Sequence, residues 1–418
     1  MKKEELQKIL EDINSVKIAV VGDFCLDAYW FIDESKSEIS IETGHMTRPV
    51  RQQKYSLGGA GNVTNNLDAM GIKDIRAFGV VGSDPFGAAM INLMQKVKIN
   101  TDNLLVQEEQ WSTHAYSKPY IGDEEQGRID FGNFNILSNT TADELIRKLT
   151  VAVPDIDAVI INQQVLSGIH TPYFRDKLVK LILSFPDKIF ISDSRNYSDE
   201  YDGTYRKMND FEAAMLCNLK NSTAEIVSYS EARNAAQMLF KRYQKPLFVT
   251  CGSHGSFIVN ENGVTDIMGL MILSKVDTVG AGDSYLAGAA STLAAGYNME
   301  IAAKIGTFVA GVTVQKLFQT GTATPEEILK IGQDSDYIYF SGLAENIRNA
   351  NYLNNTEIEI INKWEEKLQI KHAIFDHDGT ISTLREGWEL IMAPMMIKAI
   401  LGDKYQDADE VLYQKVQT

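Results

Sequence analysis

The chain reads as an α/β protein built on a parallel sheet with helices covering both faces. Three observations predict this. From about residue 139 onward, short apolar runs alternate with helical segments, the order that places parallel strands between covering helices. Several of the runs end on an acid: Ile18-Ala19-Val20-Val21 runs into Gly22-Asp23, and the run at 188–193 ends at Asp193. A Gly-rich junction, Asp277-Thr278-Val279-Gly280-Ala281-Gly282-Asp283, stands between a predicted strand at 271–276 and a predicted small-residue helix at 284–295. In open α/β sheets ligands gather at the carboxyl ends of the strands, where these features fall.

Taken in order, 4–16 carries Leu6, Ile9, Leu10 and Ile13 at helical spacing and 17–23 is a buried strand. Helices are predicted at 59–70, 85–96, 142–151, 172–185, about 210–217, 230–242, 299–317 and 325–331, with strands at 75–81, 158–162, 188–193 and 247–251. Two polar, β-leaning segments, 31–57 and 105–131, interrupt the alternation and suggest a small lid sheet over one edge. Residues 333–370 read as a linker with one charged helix at 357–368, and 371–418 as a separate unit too short to build a comfortable core of its own.

With 418 residues the chain exceeds one average domain. Lys+Arg 40 against Asp+Glu 56 gives a net charge of −16, which argues against general nucleic-acid or anionic-membrane binding. Cys25, Cys217 and Cys251 are too few and too scattered for a disulfide framework or a zinc site, and read as buried thiols. No apolar run reaches the roughly 18 residues that span a bilayer, and the start, Met1-Lys2-Lys3-Glu4-Glu5, lacks the apolar core of a signal peptide. A cytoplasmic protein is expected.

The chemistry concentrates at 277–283. Glycines at a helix N-terminus let backbone N–H groups cradle an anion. Asp283 beside that cradle would repel a phosphate that was merely bound, but it fits a base that takes the proton from an attacking hydroxyl. This junction resembles the D-T-x-G-A-G-D signature of the ribokinase/PfkB carbohydrate kinases, and the resemblance extends over about 1–332. It implies a ribokinase-like three-layer α/β/α sandwich with a small β lid, and an ATP- and Mg²⁺-dependent sugar kinase. Monovalent-cation dependence is left open. By that resemblance Asp283 is the base, Gly280, Ala281 and Gly282 are catalytic with it, and the backbone N–H groups of Ala281, Gly282 and Asp283 form the anion hole. Asp23, Asp27, Gly58, Gly59 and Asn62 (the last from Gly58-Gly59-Ala60-Gly61-Asn62) contact the sugar. Asn209 and Glu212, an N-x-x-E pair, organise Mg²⁺ through water, with Glu212 the nearer ligand. Thr250, Gly252 and Gly255, together with Asp277 and Thr278, contact the nucleotide. Segments 308–312 and 321–323 flank the adenine. A small-molecule sugar partner and a homodimer follow from the same resemblance.

The opening Gly22-Asp23-Phe24-Cys25-Leu26-Asp27-Ala28-Tyr29-Trp30 and the segment Gly127-Arg128-Ile129-Asp130-Phe131 are similar to the bacterial heptose-7-phosphate kinases of ADP-heptose synthesis. Arg128 is the candidate for a substrate phosphate, because a guanidinium matches phosphate geometry. A structural Arg–Asp pair is the competing reading. Those kinases carry S-D-Y-x-K-G and D-P-K, where this chain has residues 162–168 without a lysine and Asp193-Ser194-Arg195. The kinase class does not depend on those positions, but the identity of the sugar does. A nucleoside or other small-alcohol kinase, or a non-catalytic sugar-binding module, are the alternatives.

Phe375-Asp376-His377-Asp378-Gly379-Thr380 resembles the first motif of the haloacid dehalogenase superfamily, which implies Mg²⁺ binding by Asp376 and Asp378 in a complete domain. The superfamily's later Ser/Thr, Lys and acids have no counterpart here, so this piece is expected to lack phosphatase activity.

Overall fold

Alternating burial along each central strand supplies two helix layers with a common sheet. In the computed structural model, Ile18 and Val20 of the first strand join one apolar core while Ala19 and Val21 join another, the period-2 pattern of a strand covered on both sides. The structure describes residues 1–220, 227–272, 274–317, 320–333, 335, 337–338, 371–372, 374 and 388–417. The 375–380 motif with Asp376 and Asp378, the 357–368 helix and most of the predicted linker lie outside the described residues.

Helix α1 (Lys3–Ile13) leads into β1 (Lys17–Gly22), β2 (Phe24–Ile32), β3 (Val50–Gly59), α2 (Ala60–Ala69), β4 (Asp74–Gly82), α3 (Pro85–Lys96) and β5 (Asn100–Gln107). Then come β6 (His114–Ile121), β7 (Glu124–Glu125), β8 (Ile129–Phe131), α4 (Asn139–Ala152), β9 (Ala158–Gln163), α5 (Pro172–Ser184), β10 (Ile189–Ser194) and β11 (Tyr205–Asn209). The chain continues with α6 (Asp210–Leu216), α7 (Tyr229–Tyr243), β12 (Leu247–Thr250), β13 (Ser256–Asn260), β14 (Gly263–Ile267), β15 (Gly269–Leu270), α8 (Ala281–Ala294), α9 (Met299–Thr313), α10 (Pro325–Gln333) and β16 (Tyr337–Ile338). Helices Trp388–Leu401 and Glu410–Gln417 complete the described residues.

Nine strands form the main sheet in the order β14-β13-β12-β11-β10-β9-β1-β4-β5. The run from β12 to β5 is parallel, and β13 and β14 add an antiparallel edge. Helices α1, α2, α8, α9 and α10 bury Leu6, Leu67, Leu286, Phe308 and Ile328 on one face. Helices α4 and α5 bury Leu145, Leu149, Phe174 and Leu178 on the other. A second sheet, β3-β2-β6-β7 with β8 also on β6, stands over the carboxyl edge of the first. It begins at Phe24, directly after Asp23, whereas the lid segment was predicted from 31. β5, the start of which precedes the second predicted lid segment, belongs to the main sheet.

The described residues of the predicted strand at 271–276 are not in a strand. β15 ends at Leu270 and, among the described residues, pairs with β16, and the Asp277 N–H instead bonds the Val314 carbonyl just past α9. The helix predicted from 284 begins earlier, at Ala281, with Gly280 as its N-cap at φ +81°. Residue 280 must therefore adopt a left-handed backbone, which glycine does without a Cβ penalty. The helix predicted to 317 ends at Thr313. Strand β11 was not anticipated, because Arg206 and Lys207 interrupt its apolar pattern.

Candidate active site

The first turn of α8 forms the floor of the site. Asp277 Oδ1 accepts the Val279 N–H at 3.1 Å, and the Ala281 N–H donates to the Thr278 carbonyl at 3.1 Å. The Ala281 amide is thus already used in closing the turn. The N–H groups of Gly282 and Asp283, in the first turn of the helix, have no carbonyl of their own helix to bond and carry the positive end of its dipole. They are the part of the predicted anion hole that is open to a ligand.

Asp283 is half-buried, and its Oδ2 accepts the Asn62 Nδ2 at 2.8 Å. Burial pushes its carboxyl up to about 6; the Asn62 bond and Lys207 oppose that rise, and Asp193 adds to it. The Asn62 side chain therefore faces Asp283 in this structure. Lys207, at an inward position of β11, is buried and pairs with the buried Asp193 at 2.8 Å, Nζ to Oδ2. Burial works against its charge, but Asp193, Glu212 and Asp283 outweigh it and hold the ammonium protonated. A Cβ built on Gly282 would stand 2.8 Å from Lys207 Nζ, so the ammonium lies against the anion hole. Sequence reading missed Lys207. The available signal was a lysine two residues before the N-x-x-E pair.

The residues predicted to contact the sugar cluster where β1 passes into the lid. Asp23 is buried, and both its oxygens are taken by backbone: Oδ2 accepts Gln164 and Val165 N–H at 2.9 and 3.1 Å, and Oδ1 accepts Ile169 N–H at 2.9 Å. These three bonds fasten the 164–169 loop to the end of β1. Asp27 pairs with Lys118 of β6 at 2.8 Å, Oδ1 to Nζ. Burial lowers the affinity of Lys118 for its proton, and Asp27 more than restores it. Gly58 and Gly59 end β3, and a Cβ on Gly59 would come within 2.5 Å of the Asp23 carbonyl. Arg128 makes a fork to Asp130, Nε to Oδ1 at 2.6 Å and Nη2 to Oδ2 at 2.7 Å, and lies 4.6 Å over the Tyr116 ring. The structural Arg–Asp pair is the arrangement present.

A cleft of about 330 Å³ opens on the other side of α8. Thr250, Gly252, Gly255 and Thr278 line it, with Tyr285 and Gly311 as apolar wall. Asn209 and Glu212 form a reciprocal cap at the start of α6: Glu212 N–H to Asn209 Oδ1 at 2.7 Å, and Asn209 N–H to Glu212 Oε2 at 2.9 Å. Burial, followed by Asp193, raises the Glu212 carboxyl. No group of three or more His, Cys, Asp or Glu side chains suited to a metal occurs among the described residues. No helix among them is long and apolar enough to cross a membrane.

The architecture is shared with solved sugar kinases. Ribokinase from Arabidopsis thaliana complexed with ribose and ATP superposes with a TM-score of 0.58 at 17% identity, over 76% of this chain and 99% of that one. Phosphofructokinase-2 from Escherichia coli gives 0.58 at 17%, over 76% and 98%. Among curated proteins, the bifunctional protein HldE of Sulfurimonas denitrificans is 25% identical over 388 residues, 90% of this chain and 76% of that protein. The HldE of Desulfatibacillum aliphaticivorans is 26% identical over 386 residues, with 90% and 75% covered. The sequence pattern described as pfkB family carbohydrate kinase matches residues 16–327, a span that includes the α8 turn with Asp283; the chain belongs to the pfkB family of carbohydrate kinases.

Proposed function

We propose that this kinase transfers the γ-phosphoryl group of ATP to a hydroxyl of a sugar or sugar phosphate, with Asp283 as the base. The observation that carries the reading is the meeting of a half-buried carboxylate, a helix N-terminus and a buried ammonium around Gly282. Asp283 takes the hydroxyl proton as the oxygen attacks the γ-phosphorus. The bond from that phosphorus to the β–γ bridging oxygen breaks, and ADP leaves. The N–H groups of Gly282 and Asp283 and the Lys207 ammonium face the charge on the transferring group, so positioning and electrostatics supply most of the acceleration. The cleft along α8 takes the nucleotide, with its base against Gly311 and Ala310.

Mg²⁺ suits this arrangement, because it keeps several waters and needs few protein carboxylates. Glu212 would hold it through water on the oxygen that the α6 cap does not use, and the bound ion would offset charge on the phosphates. The lid's edge strand β3 is the surface for a homodimer, since unpaired edges favour strand pairing. Sedimentation would show the dimer.

A heptose 7-phosphate is the first acceptor to try, on the resemblance of the Gly22–Trp30 run and the likeness to the HldE proteins. The test is ATP turnover followed by ³¹P NMR with sedoheptulose 7-phosphate, D-fructose 6-phosphate, D-ribose and adenosine. A new phosphate ester on one of the sugars is expected. Phosphorylation of adenosine alone would replace the sugar by a nucleoside. ATP binding without ester formation on any acceptor would leave a binding module.

A further inference from the structure

Two neighbouring amides at the end of β9 are buried to the same degree and bonded in opposite ways. Gln163 satisfies its whole carboxamide: Nε2 donates to the Val165 carbonyl at 3.0 Å and to Asn196 Oδ1 at 3.1 Å, and Oε1 accepts Ser194 Oγ at 2.9 Å and Asn196 N–H at 2.8 Å. It is a fastener between β9 and the loop after β10. Asn162 has no solvent exposure, yet neither its Nδ2 nor its Oδ1 has a hydrogen-bond partner in the protein. Its backbone is fully used, with the carbonyl accepting the Asp23 N–H at 3.1 Å and the strand in register with Gly22 and Asp193. Only the side chain is left over.

A buried amide without partners is destabilising, so such groups are rare unless a ligand or water completes them. Strand alternation puts Asn162 on the face opposite Gln163, toward α8, and it lies close enough to Asp283 to hold that carboxyl down without reaching hydrogen-bond geometry. Other polar side chains around Asp283 and Asp23 are already committed: Asn62 to Asp283, Lys207 to Asp193, and Asp23 to the 164–169 loop.

We infer that Asn162 is an acceptor-binding residue whose carboxamide takes the hydroxyl adjacent to the one that attacks. An amide both donates and accepts, as a hydroxyl does, and Asp283 beside it claims the attacking oxygen. The site would therefore select a vicinal diol. This rests on the sugar-kinase reading above.

The test compares wild type with Asn162→Leu, close in shape, and Asn162→Ala. Thermal melting without ligands, calorimetric binding of Mg²⁺–ATP and steady-state kinetics with sedoheptulose 7-phosphate and D-fructose 6-phosphate are measured. Melting at or above the wild-type temperature for Asn162→Leu is expected, with unchanged nucleotide binding. Acceptor KM should rise roughly tenfold in both variants, the scale of one or two hydrogen bonds, with a smaller change in kcat. Lowered melting with wild-type acceptor KM in both variants would make Asn162 a structural residue and overturn the inference alone. No turnover of either acceptor by the wild type would instead count against the sugar-phosphate reading, and this inference would fall with it.

Discussion

The two sides of this site, proposed for phosphate and for acceptor, are built by different means. At 277–283 the backbone does most of the work: a left-handed glycine, an Asx turn and the first N–H groups of α8 make the anion hole, and side chains add only Asp283 and Lys207. On the side proposed for the acceptor the polar groups beyond Gly58 and Gly59 are side chains, and Asp23, Asp27 and Arg128 are each already engaged. Asp23 holds a loop, Asp27 holds Lys118, and Arg128 holds Asp130. A backbone cradle tolerates any nucleotide that presents phosphates, whereas an acceptor face made of paired charges changes specificity with each substitution. Catalytic class and substrate are thus separable in this molecule.

Asp283→Asn attacks the cradle most directly. It should lose about 10²–10⁴ in kcat or more while still binding nucleotide, as single-turnover kinetics and calorimetry would show. The raised Asp283 carboxyl also has a stability consequence. Its folded value of about 6 lies above the ordinary 3.8, so its contribution to stability is present below pH 4 and is lost as pH rises through 6. Asp283→Asn should therefore be at least as stable as wild type at pH 8, by up to on the order of 1–3 kcal/mol. A large drop in melting temperature there would speak against this balance.

Lys207→Met comes next. It should lower kcat by about 10²–10³, the scale for removing one preorganised group that faces developing charge. It also strands the buried Asp193, at roughly 3–5 kcal/mol. Asp193→Asn combined with Lys207→Met should recover much of the stability but not the rate. Recovery of both would reduce Lys207 to a structural ion.

Lys118→Met touches only the lid. Acceptor KM should rise roughly tenfold, in keeping with a charged hydrogen bond, with ATP KM unchanged. Equal changes in both constants would erase the division between the two sides.

The division also explains what could be read from the sequence. The strands β1, β4, β9, β10 and β12 announce themselves as apolar runs, and α3 and α5 begin at Pro85 and Pro172 behind the N-caps Asp84 and Thr171. The α8 junction is local in sequence, so its glycines and Asp283 were legible together. β11 was hidden because Lys207, a charge in a buried strand, makes sense only with Asp193 beside it. Asn62 was legible as a site residue but not as the partner of Asp283, 221 residues away. The bonds of Asp23 to the 164–169 loop and the Asp27–Lys118 pair across β2 and β6 join residues distant in sequence, which no local pattern encodes.

The pH dependence of kcat/KM, measured in parallel for wild type and Asp283→Asn, tests the central claim most directly. The account predicts a single acidic limb in the wild type, rising tenfold per pH unit to a plateau above about pH 6, and its absence from the residual rate of Asp283→Asn. An acidic limb that persists unchanged in the variant would contradict Asp283 as the base.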